Sequence, residues 1–94
     1  FPQNDTEAVY WYGLAAESGH RDAQKKLGVM YYEGIGLPKN IILAYMWFNL
    51  AGARGHDTAM TNKSILAKEM TPAQIAEAQK LSRECLKKEY KNCY

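Results

Sequence analysis

Two histidines, two cysteines and one glycine-rich loop are the parts of this 94-residue sequence that could do chemistry. His20 and His56 have side chains that suit a general base or a metal ligand. They stand 36 residues apart, and each directly follows a glycine, Gly19 or Gly55. A catalytic histidine acts once, in one constellation, so a histidine copied together with its neighbours reads as structural. Cys85 as a nucleophile would need an activating base, and nothing local supplies one. Neither histidine is near enough to Cys85 and Cys93 in sequence to complete a zinc ligand set. Glu7, Glu17, Asp22 and Glu33 are spread over different segments and read as ordinary solvated carboxylates. The sequence therefore assigns no catalytic, cofactor-binding or metal-ligating residue, and the protein is not expected to be an enzyme.

The loop "EGIGLPKN", residues 33–40, raises the question of phosphate binding. A phosphate-cradling loop follows a strand and carries a third glycine or a lysine-serine pair. None of these features is present. Gly34 and Gly36 permit backbone angles that other residues avoid, and Pro38 discourages continuation of a helix. This loop turns the chain.

Cys85 and Cys93 lie eight residues apart. On one continuous helix their Cα atoms would be about 12 Å apart, whereas a disulfide needs them within about 7 Å. A bridge therefore requires the chain to leave the helix near Lys87 or Lys88 and fold back, with Asn92 as a turn residue. Two cysteines confined to one end of the chain favour that bridge, with two free thiols as the alternative. A bridge places the protein in an oxidising compartment, periplasmic or secreted.

The elements that hold these residues come from an internal repeat. Sliding the chain by 36 residues aligns Pro2, Asn4, Ala8, Trp11, Leu14, Ala15, Gly19, His20 and Ala23 with identical residues at Pro38, Asn40, Ala44, Trp47, Leu50, Ala51, Gly55, His56 and Ala59. Ala8, Trp11, Tyr12 and Ala15 fall at the spacing of one helical face, as do Ala44, Trp47, Phe48 and Ala51. Alternating rings and alanines suit close packing, so Trp11, Tyr12, Trp47 and Phe48 are expected in equivalent buried environments. Ala23, Leu27, Met30 and Tyr31 mark the core face of a second helix in the first unit. The spacing predicts helices over about 5–18, 20–32, 41–54, 56–69 and 72–88. Residues 5–39 and 40–71 form two antiparallel helix pairs, and residues 72–94 form a C-terminal cap within one domain. Thr71, Pro72 and Gln74 supply a capping box for the last helix, whose inner face is expected to carry Ile75, Ala78, Gln79 and Ser82. Residues 1–3 align with the loop at 37–39, so the chain is expected to begin inside an earlier copy of that loop and to be a C-terminal fragment.

A net charge of +2 with scattered basic residues argues against a nucleic-acid partner. The longest apolar run, "IILAYMWF", is far short of the roughly 20 residues of a membrane span, so no membrane insertion is expected.

The alanine and aromatic of the first helix, "AAESGH", "A-Q-x-x-L-G-x-x-Y" and the "G-x-G-x-P" loop together resemble the Sel-one-like repeat, a relative of the tetratricopeptide repeat. The resemblance covers residues 1 to about 60. It implies an all-α, right-handed superhelix (solenoid) of antiparallel helix pairs whose concave face binds proteins or peptides without a cofactor. Cysteine-rich members carry a bridge within each repeat, and this chain has no cysteines at those positions. Lys25, Val29 and Tyr32, joined one repeat later by Thr61 and Ile65, are the candidates for such a face. The competing reading is that these residues only pack on a neighbouring repeat. The expected function is a non-enzymatic scaffold or adaptor for a protein or peptide. The alternative is weak hydrolysis or binding of β-lactam or cell-wall compounds, as proposed for the cysteine-rich relatives.

Overall fold

Polar side chains with a free acceptor start every helix. Asn4 Oδ1 accepts from the Thr6 and Glu7 amides, 2.9 and 3.4 Å away, and opens α1, Asp5–Glu17. Asn40 repeats this with Ile42 and Leu43 at 3.1 and 3.0 Å, and opens α3, Ile41–Ala53. The histidines cap the second helix of each pair. His20 Nδ1 accepts from the Ala23 amide at 3.3 Å to start α2, Arg21–Glu33. His56 Nδ1 accepts from the Ala59 amide at 3.2 Å to start α4, Asp57–Ala67. The expected capping box forms at α5, Pro72–Lys87: Thr71 Oγ1 accepts from the Gln74 amide, and Gln74 Oε1 from the Thr71 amide. Each such cap contributes about 1 kcal/mol.

The structure, a computed structural model, describes residues 4–93; among them there are five α-helices and no strand. The start of the chain, residues 1–3, for which an earlier loop copy is expected, lies outside the described residues. Both helix-pair turns pass through glycine at positive φ, Gly19 at 85° and Gly55 at 89°, where a side chain would be strained. The 33–40 loop closes with the Asn40 amide donating to the Tyr31 carbonyl at 2.9 Å, so its polar backbone serves the chain itself.

The helices pack in chain order around α3. This helix lies against α2, α4 and α5, while α1 packs chiefly on α2. The core joins Leu27 of α2, Trp47, Phe48 and Leu50 of α3, Leu66 of α4, and Ala78 and Cys85 of α5. Each large apolar side chain taken from water contributes about 2 kcal/mol. The predicted face of α2 is buried as Ala23, Leu27, Met30 and Tyr31, with Gln24 and Gly28 added to it. Gln24 is fully enclosed and its Nε2 donates to the Ala16 carbonyl at 3.1 Å, tying α2 to α1.

Two packing expectations need correction. Trp11 and Trp47 are not equivalent, because Trp47 is fully buried while Trp11 is 59% exposed. The reason is positional: α3 has neighbours before and after it, and α1 has its main neighbour only after it. On α5 the inner stripe is Ala78, Ser82 and Cys85, with Ile75 and Leu81 half-buried and Gln79 exposed. A polar string sets that register. Lys63 Nζ donates to Asn49 Oδ1 at 3.2 Å, Asn49 Nδ2 donates to Ser82 Oγ at 3.1 Å, and the Ser82 hydroxyl donates to the Ala78 carbonyl at 2.9 Å.

After Lys87 the chain turns back through Glu89, Tyr90 and Asn92, all at positive φ of 53°, 67° and 54°. The sulfurs of Cys85 and Cys93 then meet at bonding distance, 2.05 Å, with their Cα atoms 5.4 Å apart. The closed loop lies across the helix-pair turns. Lys91 Nζ donates to the Glu17 carbonyl at 3.1 Å, and the Asn92 amide donates to Glu17 Oε2 at 3.0 Å. The guanidinium of Arg54 faces the Tyr90 ring and donates to the Gly19 carbonyl, while Arg21 donates to the Arg54 carbonyl at 2.7 Å.

Candidate functional site

Repeat geometry brings equivalent positions of α2 and α4 face to face. Val29 and Ile65 are 36 residues apart in sequence, and both line a groove of about 240 Å³ between these helices. Phe48 of α3 and Leu66 of α4 form its buried floor, and Tyr32, Glu33 and Asn62 complete the lining. On α4 the stripe runs Asn62, Ile65 and Leu66, the spacing of one helical face, and Glu69 follows in the turn after the helix. Phe48 can lie there because Gly28 has no side chain: a Cβ on Gly28 would stand 2.6 Å from the Phe48 ring.

Of the residues expected to bind, Val29, Tyr32 and Ile65 meet in this groove. Lys25 is half-buried and Thr61 exposed, and both lie outside the lining, since the floor supplied by Phe48 centres the groove one helical position away from Thr61. Asn62 and Leu66 were not singled out from sequence, while Glu33 was expected only as a solvated carboxylate and Phe48 only as a core ring. The signal for Asn62 and Leu66 was available in their i, i+3, i+4 relation to Ile65. Phe48 enters only because two helices splay around it.

The rim is polar and charged. The Tyr32 hydroxyl donates to Glu69 Oε2 at 2.7 Å, closing one end of the groove from α2 to the turn after α4. That hydrogen bond first, then the negative charges of Glu69 and Glu33, hold the Tyr32 phenol above its ordinary value of 10.0. Lys39 places its ammonium 5.3 Å from the Tyr32 ring centroid. The half-buried Asn62 side chain adds a polar amide to the groove lining. The groove thus combines an apolar floor with a few polar groups on its rim.

A second depression, lined by Arg21, Asp22, Gly55, His56, Asp57 and Thr58, holds an arrangement resembling hydrolytic machinery. His56 Nε2 lies 2.8 Å from Asp22 Oδ1. Its Nδ1 already accepts the Ala59 amide. Both ring nitrogens are therefore engaged, and neither is placed to take a proton from Thr58. His20 caps α2 in the same manner as His56 caps α4. Among the described residues no group of three or more His, Cys, Asp or Glu side chains could hold a metal ion.

Successive antiparallel helix pairs with matching caps and glycine turns define an α-helical repeat protein. The Sel1 repeat family model matches residues 1–20 and 21–56, which is more than half of the chain, and this protein belongs to that family. The second match spans α2, the 33–40 loop and α3, so it carries the same 36-residue period in a different phase. No curated protein matches the chain. Sel1 repeats form helical solenoids that serve as interaction scaffolds, and none of the helices here is long and apolar enough to cross a membrane among the described residues.

Proposed function

We propose that this chain is a non-enzymatic adaptor that holds an extended peptide segment of a partner protein in the groove between α2 and α4. The observation that carries this reading is the pairing of Val29 with Ile65 over a shared apolar floor of Phe48 and Leu66. Ile65 is 53% exposed although it is aliphatic and borders a buried position, as expected of a contact residue waiting for a ligand. The volume of the groove suits one large apolar side chain of the peptide, with Asn62 bonding its backbone. Binding needs no cofactor. The commitment of both His56 nitrogens argues against the hydrolytic alternative.

Residues 72–94 act in this reading as the cap that closes the array, held by the disulfide. A disulfide between Cys85 and Cys93 is compatible with an oxidising extracellular environment, and we assign the protein to the periplasm or the exterior of the cell.

The test is selection of random peptides on the immobilised, oxidised protein, followed by measurement of the selected peptides on Val29→Asp and Ile65→Asp variants. Peptides sharing one large apolar residue, and losing at least tenfold in affinity on either variant, support the reading. Selected peptides that bind both folded variants as well as the original protein overturn it.

A further inference from the structure

One end of the α2–α4 groove is acidic. Glu33, the last residue of α2, lines the groove, and Glu69 stands in the turn just after α4. Both are exposed. The bond from the Tyr32 hydroxyl to Glu69 Oε2, at 2.7 Å, brings the C-terminal ends of the two helices together. The last carbonyls of a helix carry partial negative charge, so two adjoining ends reinforce the two carboxylates.

Tyr32 reports the sign of the field at this end. The Glu69 hydrogen bond first, then the charges of Glu69 and Glu33, hold its pKa above 10.0. They do so although Lys39 sets its ammonium 5.3 Å from the centroid of the same ring. That cation is engaged on the ring face, and the carboxylates dominate at the hydroxyl. Lys68, the C-cap of α4, lies one position round the helix end from Glu69. Four residues before Val29, the same face of α2 carries the half-buried Lys25. Along α2 the groove is therefore graded from a lysine, through an apolar middle, to a pair of carboxylates.

Resting on the reading of this groove as a peptide site, we infer that the partner segment carries a lysine or arginine beside its large apolar residue. The apolar side chain sits on Phe48 and Leu66, and the cation meets Glu33 and Glu69. A carboxylate has two oxygens, so Glu69 can keep the phenol on Oε2 and still accept from a ligand cation. An exposed ion pair strengthens binding by only about two- to fivefold. An acidic residue at the same place is repelled, so the pair sets selectivity more than affinity.

Peptide selection tests the inference. Random peptides are selected on the immobilised, oxidised protein and sorted by loss of binding to Val29→Asp and Ile65→Asp. Those that lose binding are groove ligands, and they should share a lysine or arginine next to the large apolar residue or one residue removed from it. In synthetic, N-acetylated versions, glutamine in place of that residue should lower affinity about threefold in low salt, and the difference should vanish near about 1 M salt. Selection on Glu33→Lys, which leaves the Tyr32–Glu69 bond in place, should turn the enrichment from basic to acidic side chains. Glu33→Gln should narrow the preference for lysine over glutamine, and circular dichroism checks that both variants are folded. Groove ligands without a basic residue, or an unchanged preference on Glu33→Lys, overturn the inference and leave the groove as a peptide site. Groove ligands that need a free α-amino group instead of a basic side chain overturn it too. A selection in which no peptide depends on Val29 or Ile65 overturns both readings.

Discussion

Tyr32 and Glu69 join two repeats through one hydrogen bond, the phenol donating to the carboxylate over 2.7 Å. The bond exists only while the phenol keeps its proton. Glu69 therefore raises the Tyr32 pKa above 10.0, by the hydrogen bond first and by its charge second. A raised folded value means that the unfolded chain gives up this proton first. The stability supplied by the pair is complete below the unfolded tyrosine pKa and is lost as pH rises through the folded one. Urea denaturation from about pH 9 to about pH 11 should show a downward slope. Tyr32→Phe should reduce that slope, and an identical slope in the variant would refute the assignment.

Gly28 separates two effects of opposite sign. Alanine in a helix is favoured over glycine by about 1 kcal/mol. A Cβ here would meet the Phe48 ring at 2.6 and 2.7 Å and the Ala44 carbonyl oxygen at 3.3 Å. Overpacking of this kind costs about 1–3 kcal/mol, and a buried ring held by three helices has little room to yield. Gly28→Ala should therefore be destabilising on balance, and it should weaken peptide binding because Phe48 floors the groove. Thermal unfolding with parallel affinity measurement checks both effects. A stabilised variant would show that the ring moves freely.

The histidine caps can be told from a catalytic role by substitution. His56→Ala removes the acceptor for the Ala59 amide and should cost about 1 kcal/mol. His56→Asn restores an acceptor but not the contact with Asp22, and should recover most of that loss. The same pair of changes at His20 should behave alike, since the cap geometry is shared. Chemical denaturation of the four variants decides the matter. Equal losses for alanine and asparagine would mean that capping is not what these side chains provide.

Removing the disulfide by Cys85→Ser with Cys93→Ser should lower stability by about 2–3 kcal/mol, from the entropy of a short closed loop. Hydrogen exchange supplies the local readout. The Asn92 amide, bonded to Glu17 Oε2 at 3.0 Å, should lose its protection in the variant and in the reduced protein. Retained protection would mean that the contacts to Glu17 hold the loop without the bridge.

Much of this fold was legible because a repeat states each rule twice. The alanine-aromatic stripes, the turn glycines and the copied histidines each had a mate 36 residues away, and the Thr71–Gln74 capping box was recognisable by itself. Asn4 and Asn40 were equally visible as identities, yet their capping role emerged only from the bonds to Thr6 and Ile42. Trp11 shows what a repeat conceals, since identical residues receive identical surroundings only if both copies have the same neighbours. The groove was half legible. Val29 and Ile65 follow from periodicity, whereas Phe48 as a floor depends on how far α2 and α4 stand apart. The polar string from Lys63 through Asn49 to Ser82 had no mate in the other copy, where Gly13 stands for Asn49, and so left no signal.

Stacked hairpins ordinarily come undone from one end, because every unit touches only the next. Here the loop after α5 grips the end of α1, with Lys91 and Asn92 both on Glu17. Peeling α5 and its closed loop away must also release these two bonds to the end of α1. The clasp ties together two helices that the chain places far apart, and α1 and α5 are expected to open together rather than one at a time.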